Sequence, residues 1–116
     1  MSSNIKEVNE KDETLLKEIN SFINKSKYSD YMQTIEWKNI RNETNKYALY
    51  KKENNKIIWF SILLEKKDDS NKTYLYAPRG PIVDYTDLEN LHKYLIDIKD
   101  FLKEKKFKEN SYKSQN

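Results

Sequence analysis

The stretch Tyr74-Leu75-Tyr76-Ala77-Pro78-Arg79-Gly80-Pro81-Ile82-Val83-Asp84 reads as a strand that runs straight into a stiff turn. Its turn residues are rare elsewhere in this 116-residue chain. Gly80 is the single glycine, Pro78 and Pro81 are the two prolines, and Arg79 and Ala77 are each one of two. The remainder is rich in Lys, Asn, Ile, Glu and Tyr, the residues of A/T-rich codons. Such a bias removes Gly, Pro, Arg and Ala wherever another residue serves, so their clustering marks a loop with little tolerance. Each proline fixes its own φ and pushes the residue before it, Ala77 or Gly80, out of the α region. Gly80 permits φ > 0 or a close backbone approach. The expected product is a rigid turn that holds the Arg79 guanidinium in one place. The plainer reading is a rigid loop leaving a strand.

Upstream of the turn, residues 57–66 give the clearest strand. Ile57-Ile58-Trp59-Phe60-Ser61-Ile62-Leu63-Leu64 is apolar on both faces and bounded by charge, as expected of a central strand with partners on both sides. Residues 46–52 precede it as a strand with Tyr47, Leu49 and Lys51 on one face. The turn between them, 53–56, contains Asn54 and Asn55, which supply left-handed positions without glycine. A polar turn at 67–72 leads to a third strand at 72–77. Before the strands, Leu15, Leu16, Ile19, Phe22 and Ile23 predict a helix over 13–25 capped by Asp12. Residues 25–30 form a polar break. Thr34 then caps a short helix over 35–41 that carries Ile35, Trp37 and Ile40. After the turn, Thr86-Asp87-Leu88-Glu89 reads as a capping box. It opens a helix to about residue 106, with Leu88, Leu91, Leu95, Ile98, Phe101 and Leu102 as its apolar stripe.

The fold class is α+β: two N-terminal helices, an antiparallel meander of three strands and a C-terminal amphipathic helix. Residues 1–108 form an incomplete domain and 109–116 a polar, disordered tail. A helix of this length normally returns the chain to a further strand, and no such strand is legible. One sheet edge and one sheet face are expected to stay uncovered, which points to a fragment.

Composition narrows the chemistry. Leu, Ile, Val and Phe make up 27 residues, a lean core that still lies above the ~20 % expected of disordered chains. Charged residues are 35 % of the chain but the net charge is only +3, with both signs interspersed. No face is clearly basic, so a nucleic-acid binder is the weakest reading and no DNA partner is expected. The chain has no cysteine and one histidine, His92. Thiolate catalysis is excluded, and no metal or other cofactor is called for. There is no apolar run of the ~18 residues that span a bilayer and no signal-like segment at the N-terminus, which reads as cytoplasmic. Phosphate loops of the Walker and G-x-G-x-x-G types need glycines the chain lacks. No Ser-His-Asp or Cys-His arrangement can be assembled, and no catalytic residue is assigned.

The order of strand, loop and helix resembles the first half of an acetyltransferase-like (GNAT-like) domain. In acetyltransferases that use CoA, a glycine-containing loop presents amides to the pyrophosphate. Here residues 81–87 hold no glycine and carry Asp84 and Asp87, which disfavours CoA. More specifically, Tyr31-Met32-Gln33-Thr34-Ile35-Glu36-Trp37 followed by the block from Tyr74 to Asp84 resembles the N-terminal part of the FemABX peptidyltransferases, over about residues 28–106. That resemblance implies two acetyltransferase-like domains in the whole protein. It also implies transfer of amino acids from aminoacyl-tRNA to the stem peptide of the peptidoglycan precursor. Basic residues after the family's tryptophan are held to face the precursor's phosphates, and Lys38 and Arg41 are the candidates here. Arg offers phosphate a bidentate fork and Lys a point charge. In the alternative, both face solvent on a short helix. Trp37 is more readily a core residue than a stacking platform. Arg79 either faces the substrate cleft or pairs with Asp84 to brace its own loop. The implied partners are the precursor, aminoacyl-tRNA and, for a split protein, a second polypeptide carrying the C-terminal part. A non-catalytic half-domain that pairs with such a polypeptide is the alternative function.

Overall fold

In the computed structural model, β3 (Lys56–Lys67) is the strand on which the other elements pack. The structure describes residues 5–26, 29, 31–108 and 111–114, with Tyr31 described for its backbone only. The sequence readings at residues 1–4, at 27, 28 and 30 in the polar break, and at 109, 110, 115 and 116 in the tail lie outside them. β2 (Lys46–Glu53) pairs antiparallel with β3, with Leu49 opposite Ser61 and Tyr50 opposite Phe60. Asn54 and Asn55 make the connecting turn with φ of 51° and 64°, as their residue type predicts.

The other side of β3 is shared. β4 (Thr73–Ala77) pairs with its C-terminal half and β5 (Ile82–Val83) with its N-terminal half. Leu64 lies opposite Tyr76 and Phe60 opposite Ile82, so the partner chain uses two more residues than β3 over the same interval. That surplus is taken up by the Pro-Arg-Gly-Pro segment, which is extruded as a turn between two short strands. β1 (Lys6–Glu7) adds to β2, and β6 (Tyr112–Ser114) runs parallel to β4. The sheet order is β1-β2-β3-β4-β6.

Each face of the sheet carries a helix. On one, Ala48, Tyr50, Phe60, Ile62 and Leu64 pack with Leu15, Ile19 and Ile23 of α1 (Glu13–Lys25). On the other, Leu49, Trp59, Leu63 and Leu75 pack with Tyr94, Ile98, Phe101 and Leu102 of α3 (Leu88–Glu104). β3 serves both clusters by simple alternation, which is why its sequence is apolar throughout. Each fully buried residue of this kind contributes ~1.5–3 kcal/mol.

The antiparallel meander of three strands is present, as the centre of a six-stranded sheet among the described residues. Four expectations are corrected. The uncovered face is covered, because α1 returns onto the side opposite α3. The tail contains β6, whose three residues were too few and too polar to show a period, and residues after the helix do return to the sheet. The stripe of α3 is rotated. Leu88 and Leu95 are exposed, while Tyr94 and Asp97 are buried. Asp97 faces inward because Lys51 of β2 meets it at 3.1 Å and the Trp59 indole donates to it at 3.4 Å. The N-cap of α3 is Asp87, which accepts from the Asn90 amide. Thr86 instead closes a turn on Asp84. Beneath α3 a chain of hydroxyls joins Ser61, Tyr94 and Tyr112, at 3.1 and 2.6 Å, and fastens β6 to the sheet. Burial pushes the Tyr94 phenol well up, and that of Tyr112 to about 12, so both stay protonated.

Candidate functional site

The turn between β4 and β5 is built in layers. The Gly80 amide donates to the Ala77 carbonyl at 3.0 Å. Pro78 takes the second position with its fixed φ, and Arg79 takes the third with φ of 61°, the pattern of a type II turn. Gly80 follows at φ 74°. The sequence pointed to Gly80 as the left-handed residue; Arg79 shares that conformation, which is uncommon for a residue with a long side chain.

Gln33 holds the pair in place. It ends the 3-10 turn Tyr31–Gln33, is buried, and donates through Nε2 to the carbonyls of Arg79 (3.4 Å) and Gly80 (3.2 Å). Thr34 follows it and caps α2 (Ile35–Ile40) by accepting from the Trp37 amide at 3.2 Å. On the other flank the Tyr85 hydroxyl donates to the Pro81 carbonyl at 2.7 Å, and partial burial pushes its phenol up. Pro78, Gly80 and Pro81 are thereby buried while Arg79 is exposed. The turn is a pedestal for one guanidinium. Asp84 is not its brace: the Asp84 carboxylate accepts from the Thr86 amide (2.9 Å) and hydroxyl (2.6 Å), which hold it below the usual carboxylate range.

Lys38 and Arg41 lie on the segment that Gln33 ties to the turn. The reading that leaves both facing solvent is corrected for Lys38. Lys38 is buried, with Nζ 3.1 Å from Glu10, which also accepts from Asn39 at 2.7 Å. Those two hydrogen bonds lower the Glu10 carboxyl. Arg41 is half-buried and forks onto Glu43, at 3.0 Å through Nε and 2.6 Å through Nη2. With Lys66 adding a contact at 3.4 Å, the Glu43 carboxyl is held down at about 2. The Arg41 guanidinium stands 5.0 Å from the centre of the Trp37 ring. Trp37 is therefore both a half-buried neighbour of the α1 core and a stacking surface. Gln33, Tyr85, Glu10 and Glu43 were missed by the sequence reading, because their partners are fixed by tertiary contacts.

Beside the turn, a cavity of about 490 Å³ lies between the end of α1 and β5, lined by Phe22, Lys25, Ile82, Val83, Asp84 and Tyr85. Among the described residues no cluster of His, Asp and Glu could hold a metal ion. No described helix is long and apolar enough to cross a membrane.

The arrangement is similar to known structures. An aminoglycoside acetyltransferase from an uncultured soil metagenomic sample matches 97 % of this chain and 76 % of its own, with 17 % identity and a TM-score of 0.62. A ribosomal-protein-alanine N-acetyltransferase from Brucella melitensis biovar Abortus matches 97 % of this chain and 80 % of its own, with 13 % identity and a TM-score of 0.60. The fold is thus acetyltransferase-like, but the residues present do not fit the pyrophosphate of CoA. Asp87 already occupies the N-terminus of α3 with a carboxylate, and Glu89 adds a second in the first turn.

A further solved structure, FemX, matches 89 % of this chain with 24 % identity and a TM-score of 0.67. The chain spans 25 % of the length of FemX. Among curated proteins no sequence matches. The 3-10 turn, α2 and the Pro-Arg-Gly-Pro turn all lie within residues 14–109, which match the sequence model of the FemAB family, and the chain belongs to that family.

Proposed function

We propose that this chain is an N-terminal part of the first acetyltransferase-like domain of an aminoacyltransferase. The enzyme would transfer amino acids from aminoacyl-tRNA to the stem peptide of the peptidoglycan precursor, building the cell-wall interpeptide bridge. The observation that carries the reading is the Gln33 clamp on Arg79. It joins the two sequence blocks that resemble the family, and it lies within the family match. Arg79 then offers a guanidinium to a precursor phosphate from a rigid turn. Arg41, beside the Trp37 ring, offers the N–H groups that its fork onto Glu43 leaves over, and Lys38 would reach a phosphate by exchanging it for Glu10.

The chain by itself supplies binding and not turnover. Attack of a stem-peptide amine on an aminoacyl ester needs a proton acceptor with a pKa near the working pH. Glu43 is held at about 2 and Asp84 below its usual range, so both are poor bases. The three cations act by positioning and by stabilising negative charge.

The test uses labelled aminoacyl-tRNA and precursor. No transfer is expected with the chain alone. Transfer is expected when the C-terminal portion of a FemAB-family protein is added in trans, and Arg79→Ala should lower it at least about tenfold, the effect of losing one charge-assisted contact. Turnover by the chain alone overturns the proposed division of labour. Full activity of Arg79→Ala in the reconstituted pair removes Arg79 from the site.

A further inference from the structure

A second cleft lies at the other end of β4 from the Arg79 turn, about 15 Å away along a strand of five residues. It measures about 570 Å³ and is walled by the β3–β4 turn, the last turn of α3 and β6. Lys72, Lys106, Lys108 and Lys113 line it, with Tyr74 and Phe107 between them. All four lysines are exposed. None forms an ion pair with a carboxylate among the described residues, whereas Lys38, Lys51, Lys52, Lys66, Lys93 and Lys105 each do. Asp68 is the acidic lining residue, and its Oδ1 already accepts from the Ser70 and Lys72 amides. Lys113 stands over the Tyr74 ring at 4.5 Å. The lysines that looked dispersed along the sequence are gathered here by the fold into one concave surface, where the described lining carries four ammonium groups against the single carboxylate of Asp68, which faces Lys113 and Lys72.

Backbone geometry points to the same place. Among the described residues, the non-glycine residues with positive φ are Asn54, Asn55, Asn71, Arg79 and Lys106. Asparagine is the residue, after glycine, that tolerates this region best, and it fills the three positions where only a turn is needed. The two exceptions are cations. Lys106 occupies the left-handed position of a Schellman motif, with its amide on the Lys103 carbonyl and the Phe107 amide on that of Leu102, where Gly or Asn is usual. The lysine there sets an ammonium on the wall of the cleft despite the backbone preference.

We propose that this cleft binds the phosphodiester backbone of a single-stranded nucleic acid. The ammonium groups contact successive phosphates, and Tyr74 offers a stacking surface to a base. A concave wall with an aromatic between cations suits a strand better than the flat surface of a membrane. The proposal does not rest on the transferase reading, and its probe carries no aminoacyl group.

The test is fluorescence anisotropy of the chain with short labelled oligo-U and oligo-dT over a salt series. Binding of either supports the proposal, and the preferred one names the source. The log–log salt slope should lie near −2 to −3 for four phosphate contacts at about −0.7 each. Lys106→Asn/Lys108→Gln/Lys113→Gln should weaken binding at least about tenfold and flatten the slope by about 2. Lys106→Asn alone keeps the left-handed position, so it should weaken binding without lowering the melting temperature. Lys17→Gln/Lys56→Gln, on the α1 side, should bind like the parent. Parental affinity in the triple variant overturns the proposal. So does an equal loss in the α1-side variant, or binding to anionic vesicles with none to either oligonucleotide.

Discussion

At residue scale, the turn shows what a rare residue can and cannot announce. Gly80 stands out in the sequence because it is the single glycine, and it is buried at φ 74° with its carbonyl taking the Gln33 amide. Gly80→Val should lower stability by about 1–3 kcal/mol, since a β-branched side chain is poorly tolerated there and would push against Gln33. A thermal melt checks this, and a parental melt for Gly80→Val would show the turn to be unstrained. Arg79 itself gave no sign of its conformation. A type II turn needs φ > 0 at its third position, and the arginine stands there, one residue before the glycine. Gln33 was equally silent, because its acceptors are 46 and 47 residues away. Lys38 read as a surface residue for the same reason, its carboxylate lying 28 residues upstream.

At the scale of elements, periodicity located the long helices and the central strands, and caps fixed their starts at Asp12 and Thr34. It failed where polar groups are buried. Asp97 looked like an outward position of α3, yet it lies beneath the helix between Lys51 and the Trp59 indole. Burying a carboxylate costs free energy that its two partners offset, and no one-dimensional pattern carries that pairing. Asp97→Ala should therefore destabilise by about 3 kcal/mol, the low end for breaking a buried pair, because Lys51 can turn to Glu53, now 4.0 Å away. Lys51→Met/Asp97→Leu should recover most of the loss in urea unfolding. A cost below ~1 kcal/mol for Asp97→Ala would mean that the ammonium reaches water. β6 escaped detection for a related reason. It is held by a parallel ladder to β4 and by the Tyr112 hydroxyl, features set by neighbours rather than by its own three residues.

At the scale of the whole molecule, the sequence suggested a sheet with one bare face and one bare edge, as in a fragment. The structure places α1 on one face and α3 on the other, and β3 contributes alternate side chains to both clusters. Phe60, Ile62 and Leu64 belong to one and Trp59 and Leu63 to the other, so neither layer can detach without exposing the strand that supports its counterpart. This coupling predicts a single cooperative transition for both layers. The two tryptophans report on them separately. Trp59 is fully buried under α3, and Trp37 packs against the α1 side. In Trp37→Phe the remaining fluorescence follows the α3 layer, and in Trp59→Phe it follows the α1 layer. Trp59→Phe also removes the donor to Asp97 and leaves a small void, so its midpoint should fall by about 1–3 kcal/mol of stability while the transition stays single. Within each variant, fluorescence and far-UV circular dichroism should give coincident urea midpoints. Fluorescence and dichroism midpoints that separate in either variant would show that the layers unfold independently. β3 would then act as a hinge between two half-cores rather than as their common support.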